Sequence, residues 1–239
     1  MRAMAKLLVI KTGTTMDALR EQRGDFEQWI IDAMELSADE VMVTDVSLGE
    51  ELPEYHQISG IAITGSHAMV TEHRDWSEYT AEWLKIAAEK QIPTIGICYG
   101  HQLLAYALGG KVDFNPKGRE VGTIDITLQP AAQTDSLFRG LPDTIAVQLS
   151  HRQAVLELPE QVEWLASSTL AENQAFRYGE VVWGTQFHPE FDRHITQAYT
   201  EYAWEGLRAE GFDPHAIYHS IQETPIGLEI MQRFTAIVR

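Results

Sequence analysis

The sequence contains a single cysteine, few basic residues and no long hydrophobic run. Cys98 is the only cysteine among 239 residues, so an intramolecular disulfide is excluded and a reducing, cytoplasmic compartment is the expectation. The first apolar run, residues 7–10, is too short for a signal sequence or a membrane span. Eighteen Lys and Arg against 35 Asp and Glu give a net charge of −17, which repels phosphate backbones and anionic lipids. We therefore expect no nucleic-acid or membrane partner.

The composition is that of a folded globular protein. The hydrophobic share of 44% and the charged share of 22% lie near the averages for soluble domains. No repeat, low-complexity stretch or long linker interrupts the chain, and its length suits one sizeable core. We expect residues 1–239 to form a single domain.

The two halves of the chain differ in the pattern of their apolar residues. In the first half, apolar runs of strand length alternate with segments of helical period, which is typical of a parallel sheet covered by helices. We predict strands at 6–11, 41–44, 58–64 and 94–97, with helices at 26–36, 76–90 and 101–108. The second half is rich in strands, which we predict at 111–114, 122–128, 145–149, 163–167, 175–178 and 181–186. Some of these later strands should be antiparallel.

A helical extension is predicted from about residue 192. One helix should run from 193 to 209, and a second should begin with Thr224 as N-cap and Pro225 in the first turn. Apolar side chains then recur on one face of the last helix, at Ile226, Ile230, Phe234 and Ile237. Such a stripe is most simply a core contact.

The most informative segment is Gly96-Ile97-Cys98-Tyr99-Gly100, where a buried strand runs directly into a helix. A strand-to-helix elbow presents its central side chain above the edge of the sheet, and the helix N-terminus favours thiolate over thiol. A cysteine without such context is more often a buried structural residue. The paired glycines and the position at a strand's carboxyl end favour a nucleophile instead.

A partner for this cysteine is predicted in Gln186-Phe187-His188-Pro189-Glu190, after another apolar strand. A cysteine nucleophile needs an imidazole and a group that orients it. His188 and Glu190 are two residues apart, so an extended stretch directs both side chains to the same side. Alone this segment would be weak evidence, but with the elbow it indicates a Cys-His-Glu triad.

These two segments together, Gly96-x-Cys98-x-Gly100-x-Gln102 and the run ending at Glu190, resemble the class I glutamine amidotransferases. The resemblance is closest to the stand-alone proteins related to the amidotransferase domain of GMP synthase, and extends from about Lys6 to Glu190. It implies a three-layer α/β/α sandwich, flavodoxin-like, whose central sheet is mostly parallel with additional antiparallel strands. It also implies that Cys98 attacks the γ-amide of glutamine, that His188 relays protons and that Glu190 orients His188.

The resemblance further implies an oxyanion hole and a substrate pocket. Backbone N–H groups of Tyr99 and of Gly65, in a turn after a strand, match the oxyanion donors of the family. Residues that match the family's glutamine pocket are Gln102, Glu120, Ser150 and His151.

One departure concerns the substrate. Related sequences carry an acidic residue after the Ser-His pair, where this chain has Arg152-Gln153. An acidic contact to the substrate ammonium is thus missing or supplied elsewhere.

The histidines outside the triad give little evidence of a further functional site. His101 is expected on the helix surface. The pairs His67 with His73 and His215 with His219 lack a third ligand in the sequence, so no metal is expected. No cofactor is expected either.

Three functions remain open from the sequence. The first is a glutaminase that releases ammonia for an acceptor on a separate synthase polypeptide, since no GxxxxGK nucleotide-binding loop is present. The second is a γ-glutamyl peptidase that acts on γ-glutamyl peptides or conjugates. The third is a non-enzymatic stress or binding module of the same architecture with a reactive cysteine, although such proteins lack the His-Pro-Glu segment.

Overall fold

A computed structural model describes residues 5–239 of the chain. Its strands are β1 (Lys6–Lys11), β2 (Val41–Asp45), β3 (Ile58–Ile63), β4 (Thr94–Ile97), β5 (Lys111–Phe114), β6 (Glu120–Leu128), β7 (Thr144–His151), β8 (Gln153–Glu157), β9 (Val162–Ser167), β10 (Ala175–Tyr178) and β11 (Val182–Thr185). Its helices are α1 (Asp17–Arg23), α2 (Phe26–Ala33), α3 (Asp75–Glu89), α4 (Tyr99–Ala107), α5 (Arg193–Tyr202), α6 (Trp204–Ala209), α7 (Pro214–Ser220) and α8 (Pro225–Val238).

The central sheet is half parallel and half antiparallel. Across residues 5–239 it has nine strands in the order β2-β1-β3-β4-β11-β10-β9-β6-β7. From β2 to β11 every pair is parallel, and from β11 to β7 every pair is antiparallel. Strands β5 and β8 pair separately as an antiparallel ribbon. The predicted α/β sandwich with added antiparallel strands is confirmed.

The alternation of side chains along β1 places a core on each face of the sheet. Leu7 and Val9 belong to a cluster that contains residues of α2 and α8, whereas Leu8 and Ile10 belong to one that contains residues of α3 and α4. Neighbouring residues of a strand face opposite sides. Since helices cover both faces, the strand is apolar throughout rather than alternating.

Several predicted boundaries hold, and others do not. The bounds predicted for β1, β4, β5 and β10 agree with the structure, but β8, α1 and α7 were not predicted. The helix predicted over 193–209 is two helices that meet at Ala203. Thr224 occupies the N-cap position of α8 but its side chain makes no capping hydrogen bond.

The stripe predicted on α8 is confirmed as a core contact. Ile230 and Phe234 are fully buried, and Ile226 and Ile237 pack against the same cluster. None of the helices within residues 5–239 has the length and apolar character needed to cross a bilayer.

Candidate functional site

Cys98 stands at a strained turn between β4 and α4. Its backbone has φ 52° and ψ −98°, in the positive-φ region that residues with a Cβ rarely adopt. Two glycines make the turn possible. A Cβ on Gly96 would lie 2.5 Å from the carbonyl oxygen of Gly100, and a Cβ on Gly100 would lie 2.7 Å from the carbonyl oxygen of Ile63. The predicted elbow is therefore confirmed, and its glycines are needed because backbone approaches backbone there.

The thiol of Cys98 is buried but reaches a cavity. The residue is 6% exposed, and Sγ lies 3.9 Å from the carbonyl oxygen of Ser150, to which the thiol can donate. Cys98 immediately precedes the first turn of α4. The positive end of that helix stabilises negative charge on the sulfur.

His188 is brought to Cys98 by the pairing of two parallel strands. Thr185 at the end of β11 pairs with Ile97 at the end of β4, so the segments that follow both strands leave the sheet at the same edge. The ring of His188 stacks on that of Phe191, with centroids 3.8 Å apart and planes at 19°. Its Nδ1 lies 2.8 Å from Oε1 of Glu190. The structure therefore brings the three predicted triad residues together.

The charge state of His188 is set by these neighbours. Burial by itself lowers the pKa of an imidazole, but the negative charges of Glu190 and Cys98, and hydrogen bonds to both, outweigh it. Together they raise the pKa of His188 to about 10. The imidazolium form of His188 is thus favoured at neutral pH.

Gly65 and Tyr99 both lie next to Cys98. A Cβ on Gly65 would lie 2.9 Å from Cε1 of His188 and 3.8 Å from Cβ of Cys98, so only glycine leaves room for the imidazole. Tyr99 is the first residue of α4, where a backbone N–H has no acceptor within the helix. Both residues stand where the sequence predicts oxyanion donors. Their role as donors stays a prediction.

A cavity of about 270 Å³ opens onto Cys98 and His188. Three of the four residues predicted to bind substrate line it, namely Gln102, Ser150 and His151. The fourth, Glu120, does not belong to the cavity wall. The structure therefore places Glu120 behind the pocket.

Glu120 instead belongs to a buried polar network. Its Oε2 lies 3.0 Å from Nε2 of His151 and accepts a hydrogen bond from Gln174 at 2.7 Å. Its Oε1 accepts a hydrogen bond from Ser168 at 2.6 Å. Both oxygens of the carboxylate thus have hydrogen-bond partners within the protein, and the carboxylate orients His151 from the side away from the cavity.

Gln102 is also held inside the protein. Its Nε2 donates to the carbonyl oxygen of Gln153 at 2.8 Å and to Oε1 of Gln186 at 2.9 Å. Both hydrogens of the side-chain amide are therefore used within the chain, which leaves only the amide oxygen for a ligand.

The sequence interpretation of His101 was wrong. This histidine is fully buried, with Nε2 3.1 Å from the carbonyl oxygen of Asn173 and its ring 5.1 Å from that of Phe176. Burial is the largest effect on the ring and lowers the pKa of His101 to about 3. His101 is thus a neutral core residue.

Sequence reasoning missed the cavity residues that come from elsewhere in the chain. Arg119, Tyr199 and Tyr202 line the cavity, and the hydroxyl of Tyr199 lies 3.2 Å from Nε2 of His67. Burial, the largest effect, raises the pKa of Tyr199 well above its usual value. No local motif marks these residues. The only signal in the sequence is the amphipathic period of α5, which indicates that one face of that helix is buried.

Comparison with known proteins gives consistent matches. The family model described as glutamine amidotransferase class-I matches residues 23–201. One of the subunits of glutamine-hydrolysing GMP synthase from Methanopyrus kandleri is 37% identical over 119 residues, which are 49% of this chain and 59% of that protein. γ-Glutamyl peptidase 4 from Arabidopsis thaliana is 31% identical over 171 residues, which are 71% of this chain and 64% of that protein. The chain therefore matches less than two thirds of the length of either relative.

Among solved structures, a glutamine amidotransferase from Thermotoga maritima aligns over 98% of both chains with a TM-score of 0.76 and 23% sequence identity. At that identity the likeness shows a shared fold.

Proposed function

The chain belongs to the class-I glutamine amidotransferase family, and from that premise we propose that it hydrolyses the side-chain amide of glutamine to glutamate and ammonia. The observation that carries the proposal is the position of Cys98, at a strained elbow that faces the His188–Glu190 pair. A small cavity beside the sulfur gives room for an amino acid side chain.

In the proposed first half-reaction, the Cys98 thiolate attacks the carbonyl carbon of the side-chain amide. The carbonyl electron pair moves onto oxygen, and His188 gives its Nε2 proton to the amide nitrogen. The C–N bond then breaks, ammonia leaves and a γ-glutamyl thioester remains on Cys98. The raised pKa of His188, about 10, supports this role because the imidazole carries the required proton at neutral pH.

In the second half-reaction, His188 takes a proton from a water molecule, which attacks the thioester carbonyl. The C–S bond breaks, the thiolate is restored and glutamate leaves. Glu190 and the stacked ring of Phe191 hold the imidazole in one orientation for both steps. Proton delivery and removal therefore occur at the same atom.

Both tetrahedral intermediates carry an oxyanion that needs hydrogen-bond donors. We assign these donors to the backbone N–H groups of Tyr99 and Gly65. Support comes from the position of Tyr99 at the start of α4 and from the close packing of Gly65 against His188.

We further propose that the ammonia serves an acceptor reaction on a separate polypeptide, and that the chain folds as one domain whose helices after residue 192 form an extension. The relative from Methanopyrus kandleri is described as one of the subunits of a synthase, which supports a separate partner.

A second candidate function is hydrolysis of γ-glutamyl peptides by the same thioester chemistry. The Arabidopsis thaliana relative described as a γ-glutamyl peptidase matches 71% of this chain, and Arg152 and Gln153, the departure described in the sequence analysis, line the cavity. Here the leaving group is an amine other than ammonia.

The test is ammonia release from glutamine by the purified protein, beside γ-glutamyl peptides and the Cys98→Ala variant. Turnover of glutamine that needs Cys98 is the expected result. Turnover of peptides alone would replace the first function by the second. Absence of turnover on both, with and without a synthase partner, would leave the binding module with a reactive cysteine.

A further inference from the structure

The helices at the end of the chain contribute one wall of the cavity that holds Cys98. Tyr199 and Tyr202 of α5 lie on this wall together with Ala203. The side chain of Arg119, which precedes β6, lies on the same cavity surface and is only 10% exposed. The wall thus combines aromatic rings with a buried guanidinium.

Arg119 is held from the side of the C-terminal helices. Its Nη2 is paired with Oε1 of Glu210, just after α6. The backbone of Gly206 also approaches it, since a Cβ there would lie 3.4 Å from Nη2. These contacts hold the guanidinium in one position at the cavity surface.

One donor of this guanidinium is unused. The Nε of Arg119 is buried and has no hydrogen-bond acceptor within residues 5–239. A buried charged donor without an acceptor is costly, and such a group commonly marks the place of a ligand. A planar carboxylate is the group that the guanidinium fork binds best.

The charge of the cavity wall is opposite to that of the whole protein. Two arginines, Arg119 and Arg152, line the cavity, and no Asp or Glu does so among residues 5–239. The chain as a whole carries a net charge of −17. Positive side chains at a cavity surface attract anionic ligands, so Arg119 and Arg152 favour anionic groups there.

We propose that Arg119 is an anion subsite that binds a carboxylate of the γ-glutamyl substrate, and that the helices after residue 192 position it. The inference rests on the proposed function for the identity of the substrate. The carboxylate has two possible sources, the α-carboxylate of the glutamyl group or a carboxylate on the leaving amine of a γ-glutamyl amino acid.

The first experiment needs no turnover. Because Cys98 is the only cysteine, its alkylation can be followed in the intact protein with iodoacetate, an anion, and iodoacetamide, its neutral counterpart. We expect Arg119→Gln to lower the ratio of the iodoacetate rate to the iodoacetamide rate by about tenfold. Arg119→Lys should lower it less, and Arg20→Gln, an exposed arginine of α1, should leave it unchanged.

An unaltered iodoacetamide rate in Arg119→Gln shows that the site is intact. If the ratio of the two rates is then the same as in the wild type, Arg119 is not an anion subsite and the proposal is overturned.

The second experiment separates the two carboxylates by measuring kcat/KM for glutamine, γ-glutamylglycine and γ-glutamylglycinamide. A loss of about tenfold or more in Arg119→Gln that is confined to γ-glutamylglycine assigns the leaving-amine carboxylate. An equal loss on all three assigns the α-carboxylate. Unchanged kcat/KM values on all three overturn the proposal. A wild type that turns over none of them contradicts the proposed function, while the alkylation ratio still decides the role of Arg119.

Discussion

Nδ1 of His188 lies 2.8 Å from Oε1 of Glu190, with only Pro189 between the two residues in the chain. Proline fixes its own φ and stiffens this short segment. The second oxygen, Oε2 of Glu190, is buried and has no hydrogen-bond partner within residues 5–239. The carboxylate therefore has the imidazole of His188 as its side-chain partner.

Replacement of Glu190 by Gln should lower the pKa of His188 from about 10. The variant keeps the burial that lowers this pKa but loses the negative charge of Glu190 that raises it. NMR titration of the imidazole would measure this, and kcat/KM should fall about 100-fold or more, because His188 is then less often protonated at neutral pH and has lost the carboxylate that orients it. Glu180→Gln is the matched control, as that carboxylate is 92% exposed. A wild-type titration curve in Glu190→Gln would refute the assigned cause.

The backbone strain at Cys98 predicts opposite effects for two inactive variants. Both Cys98→Ala and Cys98→Gly remove the sulfur, but only glycine adopts φ 52° without steric strain. Relief of about 1–3 kcal/mol of strain should exceed the roughly 0.5–1 kcal/mol entropic cost of glycine. Urea denaturation should therefore find Cys98→Gly more stable than Cys98→Ala.

The control for this pair is the same change in an ordinary helix. Ala216 in α7 is exposed, so Ala216→Gly should destabilise by about 0.5–1 kcal/mol. If glycine at position 98 lowers stability as it does at 216, the elbow is not strained.

The close backbone approaches at the elbow predict that Gly96→Ala destabilises the protein by about 1–3 kcal/mol or more. The added Cβ would lie 2.5 Å from the carbonyl oxygen of Gly100. This contact is with the backbone, which cannot move aside as a flexible side chain can. Thermal unfolding and Cys98 alkylation would both report the change. Gly206→Ala is a milder comparison, because the nearest atom belongs to a side chain at 3.4 Å, and equal losses in the two variants would argue against this interpretation.

Burial of neutral His101 predicts acid sensitivity. Its folded-state pKa is depressed to about 3 from 6.5, so the unfolded chain binds one more proton between these values. The stability that His101 contributes is present above pH 6.5 and is lost as the pH falls toward 3, at up to about 1.4 kcal/mol per pH unit. His101→Gln should flatten that slope in urea midpoints measured at pH 7 and pH 5.

His219→Gln, at an exposed histidine of α7, is the comparison for this experiment. Its pH slope should match the wild type, and a His101→Gln slope equal to both would remove His101 as a source of acid sensitivity.

The parts of the site that the sequence predicted are those encoded by local motifs. The bounds of β4 and the elbow at Cys98 follow from a buried apolar run, two glycines and a helical period that are adjacent in the chain. Glu190 reaches His188 across a single proline, so their contact could also be predicted from residues that are neighbours in the sequence. The two segments had to be considered together, because the His-Pro-Glu segment alone was weak evidence.

The parts that failed depend on partners distant in sequence. His101 is buried because β10 and β11 bring Phe176 and Gly184 against it, and nothing near position 101 signals this. Glu120 was expected in the pocket, but Ser168 and Gln174 draw it into a network behind His151. Arg119 reaches the cavity wall through contacts with α6. Such placements follow from tertiary packing, which periodicity does not report.

The adjacency of β4 and β11 also bears on the order in which the protein folds. Strand β4 can pair with β3 early, but β11 joins it only after the intervening antiparallel strands have been made. Contacts between residues far apart in sequence close slowly, because loop entropy is lost before they form. Cys98 is therefore present in the nascent chain well before its imidazole partner. A change in the alkylation rate of Cys98 during refolding would therefore report the step at which β11 joins β4.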